Sequence, residues 1–256
     1  KSVTVYVAGL SKPVILKVRG VVHERQKSLS ELFPVSAGPV GFREASVSLG
    51  QIEQGLARSV EVEMANTSGR AVEVRFADMT PGLTVSMASA TVPARSKVRI
   101  SCMVDTRGTE GQKWGKTPFT FSVVVDGRKY SKVLTVEALI KENFASLSES
   151  QKRAGALPQF ESSSIELGVV EAGTVLNGEF TVKNIGKDAF RIYKVDTSEG
   201  GTTVDVPEPV PFGERGTVRV RVNTKGQSGE MLNILTLITN SPTRPIINLF
   251  VIYTVK

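Results

Sequence analysis

The chain has 256 residues, 40% of them hydrophobic and 22% charged, with a net charge of +7. That balance belongs to a folded protein rather than a disordered one, and the length suggests two domains of roughly 100 residues each. No run approaches the roughly 18 consecutive apolar residues of a membrane helix, and the single cysteine, Cys102, leaves neither an intrachain disulfide nor a cysteine-based metal site.

The opening residues carry the most informative pattern. Residues 1–22 repeat residues 119–140: Val3, Val5 and Val7 answer Phe121, Val123 and Val125, and Gly9 answers Gly127, an offset of 118. The same offset joins Phe42 to Phe160, Gly50 to Gly168, Gly55 to Gly173, Asn66 to Asn184 and Gly108 to Gly226. A repeat of this kind marks an array of similar domains. The expected division is the terminal hairpin of a truncated immunoglobulin-like domain at 1–22, a linker with a short helix at 23–41, and an immunoglobulin-like domain at 42–140. A second linker with a short helix follows at 141–159, then a second such domain at 160–256. The hairpin's strands are expected at 1–8 and 13–22. Its apolar row needs cover, from the rest of the chain, from another copy, or from the missing front of its own domain.

Both linkers contain Ser-Leu-Ser-Glu, at Ser28 to Glu31 and at Ser146 to Glu149. Ser followed three residues later by Glu is a capping box, so one or two helical turns are expected in each, forming either a defined joint packed on the neighbouring domain or a solvated connector duplicated with its domain. His23, the sole histidine, lies in the first linker.

Beyond the first linker, period-two alternation dominates. Val60, Val62 and Met64 alternate with Glu61 and Glu63; Val72, Val74 and Phe76 alternate with Glu73 and Arg75; Val218, Val220 and Val222 alternate with Arg219 and Arg221. Such strands bury one face and wet the other. Turn residues punctuate them, at Asn66-Thr67-Ser68-Gly69, Thr80-Pro81-Gly82, Asp126-Gly127, Asn184-Ile185-Gly186 and Pro211-Phe212-Gly213. About seven short strands per hundred residues read as an all-β, immunoglobulin-like sandwich. Cys102 falls in phase with Val98, Ile100 and Val104, the inward set of its strand, and is expected to be buried and inert. The best-matched loop, Val104-Asp105-Thr106-Arg107-Gly108 with Gly111, answers Val222-Asn223-Thr224-Lys225-Gly226 with Gly229. It reads as a turn started by Asp or Asn, ahead of a cation-presenting binding loop.

No catalytic, cofactor-binding or metal-ligating set is assigned, and no cofactor is expected. The acidic residues alternate out of strands or stand singly in turns. The positive charge is dispersed: residues 1–41 carry +4, 42–140 carry +3, 141–157 carry +1 and 158–256 carry −1. Without a basic stripe interleaved with stacking aromatics, nucleic acid is not an expected partner. Trp114, the only tryptophan, lies in Gly111-Gln112-Lys113-Trp114-Gly115, where it would cover a sandwich end.

Residues 167–256 resemble an uncharacterised family of bacterial immunoglobulin-like domains, found in tandem on exported cell-envelope proteins of Gram-negative bacteria. The resemblance rests on Leu167-Gly168-Val169-Val170, Gly173 and Phe180-Thr181-Val182-Lys183-Asn184-Ile185-Gly186. It continues through Phe190-Arg191-Ile192, Val195, Pro211-Phe212-Gly213, Thr239-Asn240 and Pro245. Leu49-Gly50, Gly55, Asn66 and Gly69 extend it more weakly into residues 42–140. The broader class is similar to major-sperm-protein and hydin-type sandwiches, which act as scaffolds. The family's frequent Cys-Gly-Cys turn is replaced here by Asp196 to Gly201, so no redox or metal role carries over. The resemblance implies a non-enzymatic protein of the periplasm or outer envelope. It would act as a structural or protein-interaction module, with protein or envelope glycan as partner and self-association through residues 1–22 open to it. The rival readings are a carbohydrate-binding or enzyme-accessory module and a strand-donating assembly subunit.

Overall fold

The computed structural model describes residues 2–17, 19–20, 25–107 and 113–256. His23, Gly108, Gly111 and Gln112 lie outside the described residues.

The chain opens on a two-stranded antiparallel hairpin, β1 (Ser2–Val5) with β2 (Val14–Lys17), in which Val3 faces Leu16. A four-residue helix, α1 (Leu29–Leu32), leads into ten strands: β3 (Val35–Ala37), β4 (Val40–Phe42), β5 (Ser46–Glu53), β6 (Ala57–Asn66), β7 (Val72–Ala77), β8 (Leu83–Met87), β9 (Thr91–Val92), β10 (Lys97–Asp105), β11 (Gly115–Val125) and β12 (Arg128–Lys141). They form two facing sheets, ordered β3-β4-β6-β10-β8 and β5-β12-β11-β7-β9. After α2 (Glu149–Ala154) come β13 (Pro158–Phe160), β14 (Ser164–Val170), β15 (Val175–Asn184), β16 (Ile192–Thr197), β17 (Thr202–Asp205), β18 (Arg215–Asn223), β19 (Gly229–Thr239) and β20 (Ile246–Val255). These give sheets β13-β15-β18-β17 and β14-β20-β19-β16. The fold is all-β: tandem immunoglobulin-like sandwiches joined by short helical connectors.

Alternation explains each core. In β10, Ile100, Cys102 and Val104 are buried while Lys97, Arg99 and Met103 face water. In β18, Val218, Val220 and Val222 are buried between exposed Arg219 and Arg221. Fully burying one such side chain stabilises by about 1.5–3 kcal/mol, so the inward sets of facing strands make one core per sandwich. Phe42, Phe119, Phe121 and Leu134 fill the first, and Phe180, Leu235, Leu249 and Tyr253 the second.

The recurring glycines have local causes. β5 runs parallel to β12, and its register slips between the pairs Glu137–Ser48 and Ala138–Gly50. β14 slips against β20 over the residues between Glu166 and Val169. Gly50 and Gly168 take φ of +78° and +79° at these breaks, a conformation glycine adopts without a Cβ penalty.

Two expectations need correction. The first sandwich starts with β3 and β4, so its sheet begins at Val35, inside the segment read as a linker. The second helix is capped two residues later than expected. Ser148, not Ser146, is the N-cap: its Oγ accepts from the Gln151 amide at 3.3 Å, and Gln151 Oε1 accepts from the Ser148 amide at 2.9 Å. Ser146 is used up in a preceding turn, where the Leu147 amide donates to the Phe144 carbonyl and the Ala145 amide to Asn143 Oδ1. Glu149 is therefore the first helical residue, and Gln151 takes the role expected of it. The first capping box stands as read, on Ser28 and Glu31.

Candidate functional site

The residues that recur between repeats are engaged in folding. Asn66 is fully buried; its Nδ2 faces the carbonyls of Arg70, Val92 and Pro93 at 2.7–3.1 Å, while Oδ1 accepts from the Ser68 amide and hydroxyl. Asn184 does the same work, donating to the carbonyls of Asp188 and Val210 and accepting from the amides of Leu157 and Gly186. Thr106 and Thr224, both buried, tie the loop after β10 or β18 to the turn before β6 or β15. Thr106 Oγ1 donates to the Leu56 carbonyl at 2.7 Å, and Thr224 Oγ1 to the Thr174 carbonyl at 3.0 Å. Asp105 Oδ1 accepts from the Arg107 amide and Asn223 Oδ1 from the Lys225 amide, so both loops are turns closed by their first side chain. The Arg107 guanidinium and amide hold the Asp105 carboxyl down at about 2.

Cys102 is buried in the first core, and desolvation raises its thiol to about 11. Among the described residues, no three His, Cys, Asp or Glu side chains converge as metal ligands would. The apolar cleft between β5 and β6, of about 280 Å³, is lined by Val47, Val62 and Leu134 and rimmed by the Arg43–Glu63 ion pair.

The distinctive assembly of polar and aromatic groups lies where the two sandwiches meet. β11 pairs with β7 only from Ser122 onward, so its first residues present an open edge. β16 is the edge of its own sheet. The Lys116 amide donates to Asp196 Oδ2 at 2.6 Å, and the Lys116 carbonyl accepts from Lys194 Nζ at 2.8 Å. Side chains of one sandwich thus satisfy both backbone groups on the open edge of the other. Asp196 is largely buried there and pairs with Lys194 at 2.9 Å. Gly115 has φ +68°, and a Cβ on it would collide with the Asp196 carboxylate.

Above this clamp sits the aromatic pair. The register of β16 against β19 breaks between Ile192 and Lys194, and a bulge of this kind re-aims the side chain at the break. Tyr193 stacks on Trp114 and donates from its hydroxyl to Glu142 Oε2 at 2.7 Å. Burial, reinforced by that carboxylate, pushes the phenol above the ordinary tyrosine range. Trp114 is therefore seated against the neighbouring sandwich, not left as a cap on its own.

The connector completes the joint. The Lys187 amide donates to the Ala154 carbonyl, the Ile185 amide to Leu157, and Ser241 Oγ to Ala156 at 2.7 Å. A Cβ on Gly186 would strike the backbone of residues 155–157. The first connector is anchored likewise: Phe33 is buried, Gly41 packs against its carbonyl, and Arg43 lies over its ring at 4.6 Å. Sequence reasoning found the connectors but missed Tyr193, Lys194 and Asp196, because nothing in a strand's alternation shows which edge a neighbouring domain will meet.

Residues 158–251 match the family model described as "Protein of unknown function (DUF1573)". That match and the resemblance traced over residues 167–256 fall on the same, final sandwich. No curated protein matches the chain. Among solved structures, a protein of unknown function from Porphyromonas gingivalis W83 is similar at a TM-score of 0.67 and 15% identity, over 85% of this chain and 100% of that one. The seventh PapD-like domain of human CEP192 gives a TM-score of 0.34 at 7% identity, over 45% of this chain and 94% of that one. The periplasmic chaperone SfaE gives 0.32 at 10% identity, over 85% of this chain and 100% of that one. At 15% identity the likeness to the Porphyromonas gingivalis protein establishes fold alone.

Proposed function

We propose that this chain is a non-enzymatic structural module of an exported cell-envelope protein, whose tandem sandwiches hold a protein-binding surface in a set geometry. The observation that carries this reading is the joint. A tether between independent domains needs no side chain aimed across it. Here Asp196 and Lys194 take both backbone groups of Lys116, and Tyr193 stacks on Trp114 while bonding Glu142. The recurring Asn66, Asn184, Thr106 and Thr224 are committed to turn hydrogen bonds, which favours scaffold over catalyst. The carbohydrate reading needs a cluster of free aromatics; Trp114 is stacked on Tyr193, and the exposed Tyr6 and Phe212 stand on different units of the chain. The envelope assignment is supported by the resemblance of residues 167–256 to domains of exported proteins.

The test is fractionation of cells carrying the full-length protein with an epitope tag at its own locus, combined with cross-linking before lysis. Recovery from the envelope, cross-linked to a protein, is the expected result. Recovery in the cytosol overturns the localisation, and turnover of a substrate by the purified chain overturns the non-enzymatic reading.

A further inference from the structure

The opening hairpin carries an apolar row in water. Val3 is 53% exposed, Val5 36% and Leu16 53%. Their counterparts 118 residues on, Phe121, Val123 and Leu134, are at most 1% exposed in the first core. The correspondence extends to pairing. Val3 faces Leu16 as Phe121 faces Leu134, and Ser2 faces Lys17 as Thr120 faces Thr135. The glycines agree too, with Gly9 at φ +92° and Gly127 at +81°, although the connection between paired strands is longer in the first hairpin. The open end of the hairpin of residues 2–17 thus keeps the β11–β12 register and inner face; nearer the turn Val5 pairs with Val14, whereas Val123 pairs with Tyr130 across a register shift, and every residue described in the hairpin is exposed.

We propose that residues 2–17 are the closing hairpin of a further sandwich, and that the strands covering Val3, Val5 and Leu16 come from the same polypeptide on the amino-terminal side of Lys1. Two arguments select this occupant. Within the repeat, the strands that bury a closing hairpin precede it and a capped helix follows it: β4 to β10 stand before β11 and β12, with α2 after them. Residues 2–17 are likewise followed by a capped helix, α1, so repeat order places their cover ahead of them. A second copy offers no equivalent place, because both sandwiches of this chain already enclose their own closing strands, with Phe121, Leu134, Leu235 and Leu249 buried. A lone hairpin is also marginal in water, and covering its inner face removes that weakness.

Cysteine accessibility tests the proposal. Val5→Cys would be placed on the inner face and Ser11→Cys on the outer, where the counterpart Lys129 is exposed, each in a Cys102→Ala background. Labelling by a thiol reagent is then compared between the 256-residue chain and the full reading frame that contains it. The expected result is fast labelling at both positions in the 256-residue chain. In the full chain, labelling at Val5→Cys falls at least tenfold and labelling at Ser11→Cys is unchanged. Equal rates at Val5→Cys in both chains overturn the proposal. So does protection in the 256-residue chain that rises with concentration, which assigns the face to a second copy. A reading frame too short ahead of Lys1 to hold the remaining strands overturns it as well.

Discussion

The rings of Trp114 and Tyr193 lie 4.3 Å apart, centroid to centroid, and 6° from parallel, although they belong to different sandwiches. A stacked aromatic pair adds about 0.5–1.5 kcal/mol beyond the area it buries, and here the whole of that term acts on the relative placement of two domains. Tyr193→Ala removes the stack and the bond to Glu142 together. As Trp114 is the only tryptophan, its fluorescence reports the joint alone: the emission is expected to shift to the red, and small-angle scattering to show a broader range of inter-domain distances. Tyr193→Phe keeps the stack and should leave the emission near that of the parent. An unshifted spectrum for Tyr193→Ala would mean that the rings do not meet in solution.

The connector gives a second test. Ser148 closes a capping box with Gln151, and Ser146 does not. Replacing an N-cap serine by alanine costs on the order of 1 kcal/mol. Ser148→Ala should therefore speed amide exchange at Gln151 roughly fivefold, while Ser146→Ala leaves that amide unchanged. Equal effects from the two would return the cap to the position the repeat suggested.

The buried asparagines should be costly in both sandwiches. Asn66→Ala leaves the carbonyls of Arg70, Val92 and Pro93 without their donor, and Asn184→Ala does the same to Asp188 and Val210. An unsatisfied buried polar group costs about 1–3 kcal/mol, so a loss of about 2–4 kcal/mol is expected from either substitution by denaturant unfolding. The isosteric Asn→Asp change should be no milder, since it sets an acceptor against carbonyls. A loss under about 1 kcal/mol at both sites would show that water replaces the amide freely.

The fold was legible because its signals are local. Alternation in β6, β7, β10 and β18 is a two-residue pattern, and the offset between Gly50 and Gly168 or Asn66 and Asn184 needs only the sequence laid against itself. The second cap was misplaced for the same reason that the repeat was useful. The offset carries Ser28 to Ser146, whereas the turn at Phe144 to Leu147 uses two more residues and moves the cap to Ser148. Ser148 and Gln151 were an equally valid box. The joint was illegible for a different reason. Tyr193, Lys194 and Asp196 matter through partners about 80 residues away, at Trp114 and Lys116, and no short-range pattern records such a pairing.

Cys102 ties one strand's phase to a measurable pH dependence. Its thiol is buried, and desolvation raises it from 9.0 to about 11. The unfolded chain loses the proton near pH 9, while the folded chain holds it to about 11. Below pH 9 both states are protonated and the thiol makes stability independent of pH. Between 9 and about 11 only the unfolded state gains from ionisation, so stability falls with rising pH by roughly 1.4 kcal/mol per unit. Lysines and tyrosines titrate over the same range, so the difference between the parent chain and Cys102→Ala isolates the thiol. That difference should be flat from pH 6 to 8 and then shrink or reverse in sign as the pH climbs. Labelling of native Cys102 by a thiol reagent should be slow at pH 7 and match the denatured rate only where the protein unfolds. Fast labelling at pH 7 with the fold intact would place the sulfur on the outer face of β10, beside Met103.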